Sequence, residues 1–420
     1  MTNGHSRPTA GHDTATAPQP RAATKAGVRP LRACMLAYTF YESDGRVMRY
    51  AEALAQEGAQ VDAIVLGRPG SPREEVLQGV RVIRVQPREK NERGKLVYLG
   101  RILRYFVRSM IEVSRQHRAH PYDVIHVHSV PDFEIFAAWW PKLCGAKLIL
   151  DIHDIVPEFY AAKFGVSHDS LVFKALKLVE RLSSAFADHV IAANDIWLER
   201  LIARSVRREK CSSFINYPDT TVFHEGMRTR TEDGRFVVSY PGTLNWHQGL
   251  DLAIEAFAKI HEQAPGMELH IHGEGSAKPE LRDLISSLDL HQKVFLNDPL
   301  PQRQIAAVMA NADLGIVPKR DDSFGGEAFS TKILEFMALG VPVLVADTRI
   351  DRRYFNDQVL RFFKASDVDS LARELLEAYR QRDKGRELAS HAKELVQSNN
   401  WGTKKHDYLD VVHRLVGRAG

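Results

Sequence analysis

The stretch Gly325-Gly-Glu-Ala-Phe-Ser-Thr-Lys-Ile-Leu-Glu335-Phe-Met-Ala-Leu-Gly340-Val-Pro-Val-Leu-Val-Ala346 decides how the chain folds. Ser330 occupies an N-cap position and Gly340 the residue just past a helix end. The spacing therefore predicts a short helix over Thr331–Leu339, entered from a Gly-Gly loop. Val341–Ala346 follows as a near-continuous apolar run, the mark of a strand covered on both faces in a parallel sheet. The same alternation extends in both directions. Strands are predicted at Leu31–Ala37, Gln60–Leu66, Val80–Val85, Asp123–His128, Lys147–Ile152 and His189–Ala193. Further strands follow at Arg235–Tyr240, Glu268–His272, Val294–Leu296 and Asp313–Val317. Amphipathic helical segments such as Val47–Gln56, Ser170–Ala185, Leu250–His261 and Ser370–Arg380 lie between them. The fold class is α/β, with two doubly wound Rossmann-like domains facing across a cleft. Ligands of such sheets sit outside the carboxyl ends of the strands.

The pattern restarts near residue 235, after the polar segment Arg228–Gly234, which reads as a linker. The expected division is an extension over 1–28, a first domain over 29–230, a second over 231–400, and a C-terminal helix over 401–420 packing back on the first. Residues 1–28 contain no Leu, Ile, Phe, Tyr or Trp, so they read as disordered and lack the apolar core of a secretory signal. With 420 residues, 44% hydrophobic and 26% charged, a wholly disordered or collagen-like chain is excluded. Cys34, Cys144 and Cys211 are far apart and odd in number, which excludes a disulfide framework and points to a reducing compartment. No apolar run is long enough to span a bilayer, and a cytoplasmic location is expected. The net charge of +4 divides into +8 over residues 1–230 and −4 over 231–420, which suggests different partners for the two halves.

Chemistry concentrates around the short helix. Glu327 lies on the loop before it and Glu335 one turn inside, so a loop-to-helix bend can aim both at one cleft. Backbone N–H groups of Ala328, Phe329 and Ser330, together with the helix N-terminus, suit phosphate oxygens. Lys332 in the first turn opposes the helix dipole, which is poor for stability but sensible beside a bound diphosphate. The bland alternative is a solvated helix with incidental charges.

Glu327 and Glu335 match the Glu-x7-Glu motif, and on this the chain resembles the retaining glycosyltransferases of family 4, which have the GT-B fold. Further segments agree in family order over about residues 30–400. These are Asp44-Gly-Arg-Val-Met-Arg49, His126-Val-His-Ser-Val-Pro-Asp132, Leu148-Ile-Leu-Asp-Ile-His-Asp154 with Pro157-Glu158, and His272-Gly-Glu-Gly275 followed by Glu280-Leu281. The resemblance implies a first domain for the acceptor and a second for the nucleotide sugar. It implies that Glu335 binds the ribose hydroxyls, Glu327 the hydroxyls of the transferred sugar, and Ala328, Phe329 and Ser330 the diphosphate or sugar. His153 is expected to approach the donor sugar from the first domain, Gly45 to let the first loop come close, and Gly242, Thr243 and Gly273 to border the donor.

One departure stands out. The family's Arg and Lys after the first strand of the second domain are replaced here by Thr243 and Gln248. Lys319, Arg320 and Lys332 are expected to supply the missing charge, unless donor binding is weaker or altered. His126 and His128 share one face of a strand but lack a third ligand at suitable spacing, and Asp367-Val-Asp369 precedes a helix it can cap. No metal or other cofactor is therefore required, the nucleotide sugar being a substrate. The segment Arg88–Arg118 carries nine Lys/Arg against three Glu. Its residues Leu96, Leu99, Leu103, Phe106, Met110 and Val113 form an apolar stripe, suited either to a sheet or to an anionic membrane. Nucleic acid is the weaker candidate and not an expected partner, since no recognition signature accompanies the basic stretch.

The expected activity is sugar transfer from a nucleoside-diphosphate donor to a saccharide or polyprenyl-diphosphate-linked saccharide in cell-surface polysaccharide synthesis, with the enzyme in the cytoplasm, either free or peripheral on the inner face of the plasma membrane. A nucleotide-sugar epimerase or a non-catalytic GT-B subunit are the alternatives.

Overall fold

The computed structural model describes residues 29–88, 95–322 and 324–417; the extension expected at 1–28 lies outside them. The first sheet contains β1 (Arg32–Phe40), β2 (Gln60–Gly67), β3 (Glu74–Leu77), β4 (Val80–Pro87), β5 (Val124–His128), β6 (Lys147–Ile152), β7 (His189–Ala192) and β8 (Cys211–Ser213). Their order is β3-β4-β2-β1-β5-β6-β7-β8, parallel except for the β3–β4 pair. The second sheet contains β9 (Phe236–Pro241), β10 (Met267–His272), β11 (Val294–Asn297), β12 (Leu314–Val317), β13 (Val343–Asp347) and β14 (Arg361–Lys364). Its order is β11-β10-β9-β12-β13-β14, with every pair parallel. In both sheets the chain order reverses beside the first strand, β1 or β9, which opens a crevice at the carboxyl ends.

The helices that matter for the site and its surroundings are α1 (Gly45–Gln56), α2 (Lys95–Ala119), α3 (Trp139–Leu143), α4 (Leu171–Phe186), α5 (Thr331–Ala338) and α6 (Trp401–Leu415). One face of the first sheet packs Cys34, Ile64 and Ile125 against Ile102 and Tyr105 of α2. The other packs Met35, Ala63 and Ile149 against Val47 and Tyr50 of α1 and against Tyr408 and Val412 of α6. The chain thus returns to the first domain after completing the second.

β3, β8 and β14 escape a reading of apolar runs. β3 is Glu-Glu-Val-Leu at an edge, β8 has three residues, and β14 brackets two Phe between Arg361 and Lys364. β13 begins at Val343 rather than Val341, since Pro342 has no N–H for the ladder; its carbonyl instead accepts from Gly315 N–H at 2.8 Å. Arg228–Gly234 is no free tether. Arg228 donates to the Ala312 carbonyl at 2.6 Å and Arg230 to that of Asn311 at 2.7 Å, which pins the segment to the second domain.

The apolar stripe read on α2 divides between the sheet and solvent, with Phe106, Met110 and Val113 on the core side. Ile102, Tyr105 and Val113 are buried, whereas Leu99 and Leu103 are each 49% exposed. Tyr105 sets this rotation, its hydroxyl lying 2.7 and 2.9 Å from the carbonyls of Ala37 and Ile64 in the sheet. A buried phenol needs such partners, and two leucines are left facing solvent to provide them. Among the described residues no helix is long and apolar enough to cross a membrane.

Gly273 is where two loops touch. A Cβ there would lie 1.8 Å from the Gly242 carbonyl oxygen, whereas one at Gly45 would meet nothing within 4 Å. Gly273→Ala is therefore expected to cost about 3 kcal/mol of stability through forced separation of the loops. Gly45→Ala should change the melting temperature far less, and equal melting temperatures would contradict the packing described.

Candidate active site

The crevice between the domains holds two adjoining chambers of 520 and 330 Å³ that share Asp154, Ala328, Phe329 and Thr331. Phe324 of the second domain wedges the domains together, its ring 5.1 Å from that of Phe159 and 5.9 Å from that of Trp197.

The second domain contributes α5. Gly340 takes the left-handed conformation (φ +70°), and Val341 N–H bonds back to the Phe336 carbonyl at 3.0 Å, which closes the helix at its C-terminus. Ser330 is the N-cap residue, but its side chain does not bond the helix backbone, contrary to expectation. The N–H groups of Thr331 and Lys332 have no acceptor within the helix, and the positive end of the dipole faces the chambers. Lys332 lines the smaller chamber and Glu335 the larger. Lys332 Nζ is 3.5 Å from Gln248 Oε1 and 3.4 Å from Ser330 Oγ, and 4.9 Å above the Tyr240 ring. Burial pushes this ammonium down to about 8 against the pull of Glu335, while burial raises the Glu335 carboxyl against Arg49 and Lys332. A bound dianion would restore the full charge of Lys332.

The first domain contributes His153, at the end of β6. Its Nε2 is 3.0 Å from Asp151 Oδ2 and 3.2 Å from His128 Nδ1, which leaves Nδ1 for a ligand. Asp151 is fully buried, and Arg46 from the first turn of α1 grips it with Nε to Oδ2 and Nη2 to Oδ1, both at 2.7 Å. Burial alone would raise the Asp151 carboxyl, but Arg46 and His153 hold it well below the carboxylate range. Burial would likewise lower His153, yet the Asp151 carboxylate lifts the imidazole above its ordinary value. His153 therefore presents a charged or hydrogen-bond-donating ring to the larger chamber. Arg49, one turn beyond Arg46, lines that chamber with Glu335 and donates to Asn216 Oδ1 at 3.1 Å and to the Tyr217 carbonyl.

The other expected residues are placed as follows. Glu327 does not line either chamber: Arg200 holds its Oε1 at 2.5 Å, and Asn194 donates to its carbonyl at 3.0 Å. Ala328 lines both chambers, but its N–H is spent on the Phe324 carbonyl at 2.9 Å. Phe329 lines both chambers, Ser330 the smaller and Gly45 the larger. Gly242, Thr243 and Gly273 form neither wall; the two glycines serve the loop contact, and Thr243 is exposed. Lys319 reaches the smaller chamber but is neutralised by Asp351 at 2.9 Å and donates to the Ala328 carbonyl at 2.9 Å. Arg320 faces away, bidentate on Asp251 at 2.9 and 2.6 Å and stacked 3.4 Å over Trp246. Of the three cations expected to replace the missing pair, Lys332 alone has no carboxylate partner at contact distance.

Asp151 also stands within ligand reach of His126 and His128, the third group that spacing in the sequence did not reveal. Both of its oxygens already accept from Arg46, and a cation there would sit against a guanidinium. Asp367 caps the helix Val368–Arg380 through Ser370 N–H at 2.9 Å. Sequence reasoning missed Arg46 and Arg49 as site residues. The signal for Arg46 is the one that marks Lys332: a cation in a first turn, opposing the helix dipole.

Two parallel Rossmann-like domains enclosing such a crevice form the GT-B architecture. The sucrose-phosphate synthase of Thermosynechococcus elongatus superposes with a TM-score of 0.76 at 17% identity, covering 92% of this chain and 99% of that one. The Anabaena protein HepE, in a crystal structure with UDP-glucose, gives 0.68 at 17% identity, with 91% and 99% covered. In sequence, residues 45–213 match the glycosyl transferase 4-like domain and residues 227–395 match glycosyl transferases group 1. With a glycosyltransferase domain in each half, the chain belongs to the glycosyltransferases. The alpha-D-kanosaminyltransferase of Streptomyces kanamyceticus is 23% identical over 313 residues, which is 69% of this chain and 77% of that protein. A match at 37% identity to an exopolysaccharide phosphotransferase of Streptomyces coelicolor spans 123 residues, 29% of this chain but only 12% of that protein.

Proposed function

We propose that the protein is a retaining hexosyltransferase that moves a sugar from a nucleoside-diphosphate donor to a saccharide or lipid-linked saccharide in cell-surface polysaccharide synthesis. The observation that carries this reading is Lys332 and Glu335 on one helix turn, facing the crevice opposite Arg49 and His153. Glu335 would accept from the vicinal hydroxyls of the ribose, and Lys332 with the open N-terminus of α5 would hold the diphosphate. The bond from the anomeric carbon to the diphosphate oxygen breaks with its electron pair on the diphosphate. The acceptor oxygen bonds to the same face, and its proton passes to the departing phosphate oxygen. The protein's part is positioning and stabilisation of the leaving charge, with no protein nucleophile. His153 would donate through Nδ1 to a sugar hydroxyl, held in orientation by Asp151. Glu327 would reach the transferred sugar only on leaving Arg200. HepE's complex with UDP-glucose supports a nucleotide-sugar donor for this fold.

A thermal-shift screen of UDP, GDP, TDP and their sugars identifies the donor, and product analysis with and without acceptor then separates transfer from epimerisation. Failure of every nucleotide to bind would favour the non-catalytic subunit. Glu335→Gln should weaken nucleotide affinity about 10- to 100-fold, as loss of a charged hydrogen-bond acceptor does, and unchanged affinity in calorimetry removes Glu335 from the site. Because free Lys332 titrates near 8, affinity should fall as pH rises through about 8, with protons taken up on binding in that range. Lys332→Met should abolish this dependence along with most of the affinity.

A further inference from the structure

We propose that the outer face of the first domain, formed by α2, α3 and α4, docks on an anionic lipid bilayer. Of the 17 large hydrophobic side chains exposed among the described residues, 13 lie on these three helices. The helices have only 25, 5 and 16 residues. Leu99, Leu103, Val107 and Ile111 recur every fourth residue along the exposed side of α2, while Trp139, Trp140 and Leu143 stand on α3 and Leu171, Leu178 and Leu182 on α4.

The helices are neighbours. The segment Asp132–Ala138 runs between α2 and α4, with Phe133 5.8 Å from Phe106 of α2 and Phe136 5.1 Å from Phe186 of α4, ring centre to ring centre. All three helices therefore flank one segment on the same side of the first sheet, and each carries apolar groups exposed to solvent.

Charge names the occupant. The acidic residues of the three helices are Glu112 and Glu180, both buried and bonded to arginine, Glu112 to Arg115 at 2.6 Å and Glu180 to Arg204 at 2.8 Å. The exposed charges are Arg104, Arg108, Arg115, Arg118, Lys174 and Arg181, all of one sign. A two-fold dimer through this face would set these arginines against their own copies, which opposes self-association. An anionic bilayer satisfies both components: headgroups take the guanidinium groups, leucines enter the acyl boundary, and the paired indoles suit the interface between them.

The test is flotation of the full chain with vesicles of phosphatidylglycerol and phosphatidylcholine in equal parts, against phosphatidylcholine alone. Binding to the anionic vesicles at low salt is expected, with a blue shift of tryptophan emission that Trp139→Ala/Trp140→Ala removes. Arg104→Gln/Arg118→Gln/Lys174→Gln should lower vesicle affinity about 100-fold while the melting temperature is retained. Vesicle binding needs no nucleotide, so its outcome is separate from that of the donor screen. Absence of binding to anionic vesicles, or equal binding by the charge variant, overturns the proposal. So does a dimer in sedimentation that the same substitutions dissociate, which would make the face a contact between copies.

Discussion

Lys332→Ala is expected to lower kcat/KM for sugar transfer by about 100- to 1,000-fold, the scale seen when a single group stabilising a developing negative charge is deleted. The size follows from how little else can replace it. In the smaller chamber the other cation is Lys319, already paired with Asp351 and bonded to the Ala328 carbonyl. Arg320 is committed to Asp251 and Trp246, and Thr243 and Gln248 carry no charge. Stability should scarcely fall, because the partners that Lys332 Nζ leaves are two neutral oxygens at 3.5 and 3.4 Å, and a buried ammonium is removed. Steady-state kinetics beside a thermal melt make the check. Full activity in a folded variant would transfer the diphosphate to another group and remove Lys332 from the mechanism.

The second large effect is structural. Arg46→Met leaves the Asp151 carboxylate fully buried beside His153 without its bidentate partner, and should cost about 3–5 kcal/mol, read as a lower denaturant midpoint at unchanged slope. Its pH dependence carries a sign. In the native protein the carboxyl is held far below its unfolded value, so the pair's contribution is complete above the unfolded value and is lost as pH falls through the folded one. Without Arg46 the largest downward influence on the carboxyl is gone, and its folded value rises toward the unfolded one. The variant should therefore lose less relative to the native protein as the solution is acidified. Arg46→Met/Asp151→Leu should recover part of the loss, and no recovery would show that Arg46 acts through packing on Tyr50, 5.2 Å away, rather than through the carboxylate.

The parts of the site legible in the sequence are those whose partners are close along the chain. Gly340 stops α5 by its own conformation, and Lys332 and Glu335 share a face three residues apart whatever surrounds them. The pairing of Arg46 with Asp151 spans 105 residues, and depends on β5 and β6 lying in register beside β1 so that a strand end meets the first turn of α1. The diversion of Glu327 to Arg200 is 127 residues long and crosses between domains. Nothing local to Glu327 could reveal it.

α2 shows where the two levels part. Its sequence determines that a helix forms and that it is basic, since periodicity and composition are local properties; it also contains more than one apolar stripe. Which stripe is buried was decided only when Tyr105 found the carbonyls of Ala37 and Ile64, leaving Leu99 and Leu103 outside. The same division holds for the whole chain: alternation of buried strands and amphipathic helices determines two Rossmann-like domains, because burial on both faces writes itself into consecutive residues. The tertiary structure alone decides which charges remain free for a ligand, because an ion pair forms wherever the fold brings opposite charges within a few ångströms, at any separation along the chain.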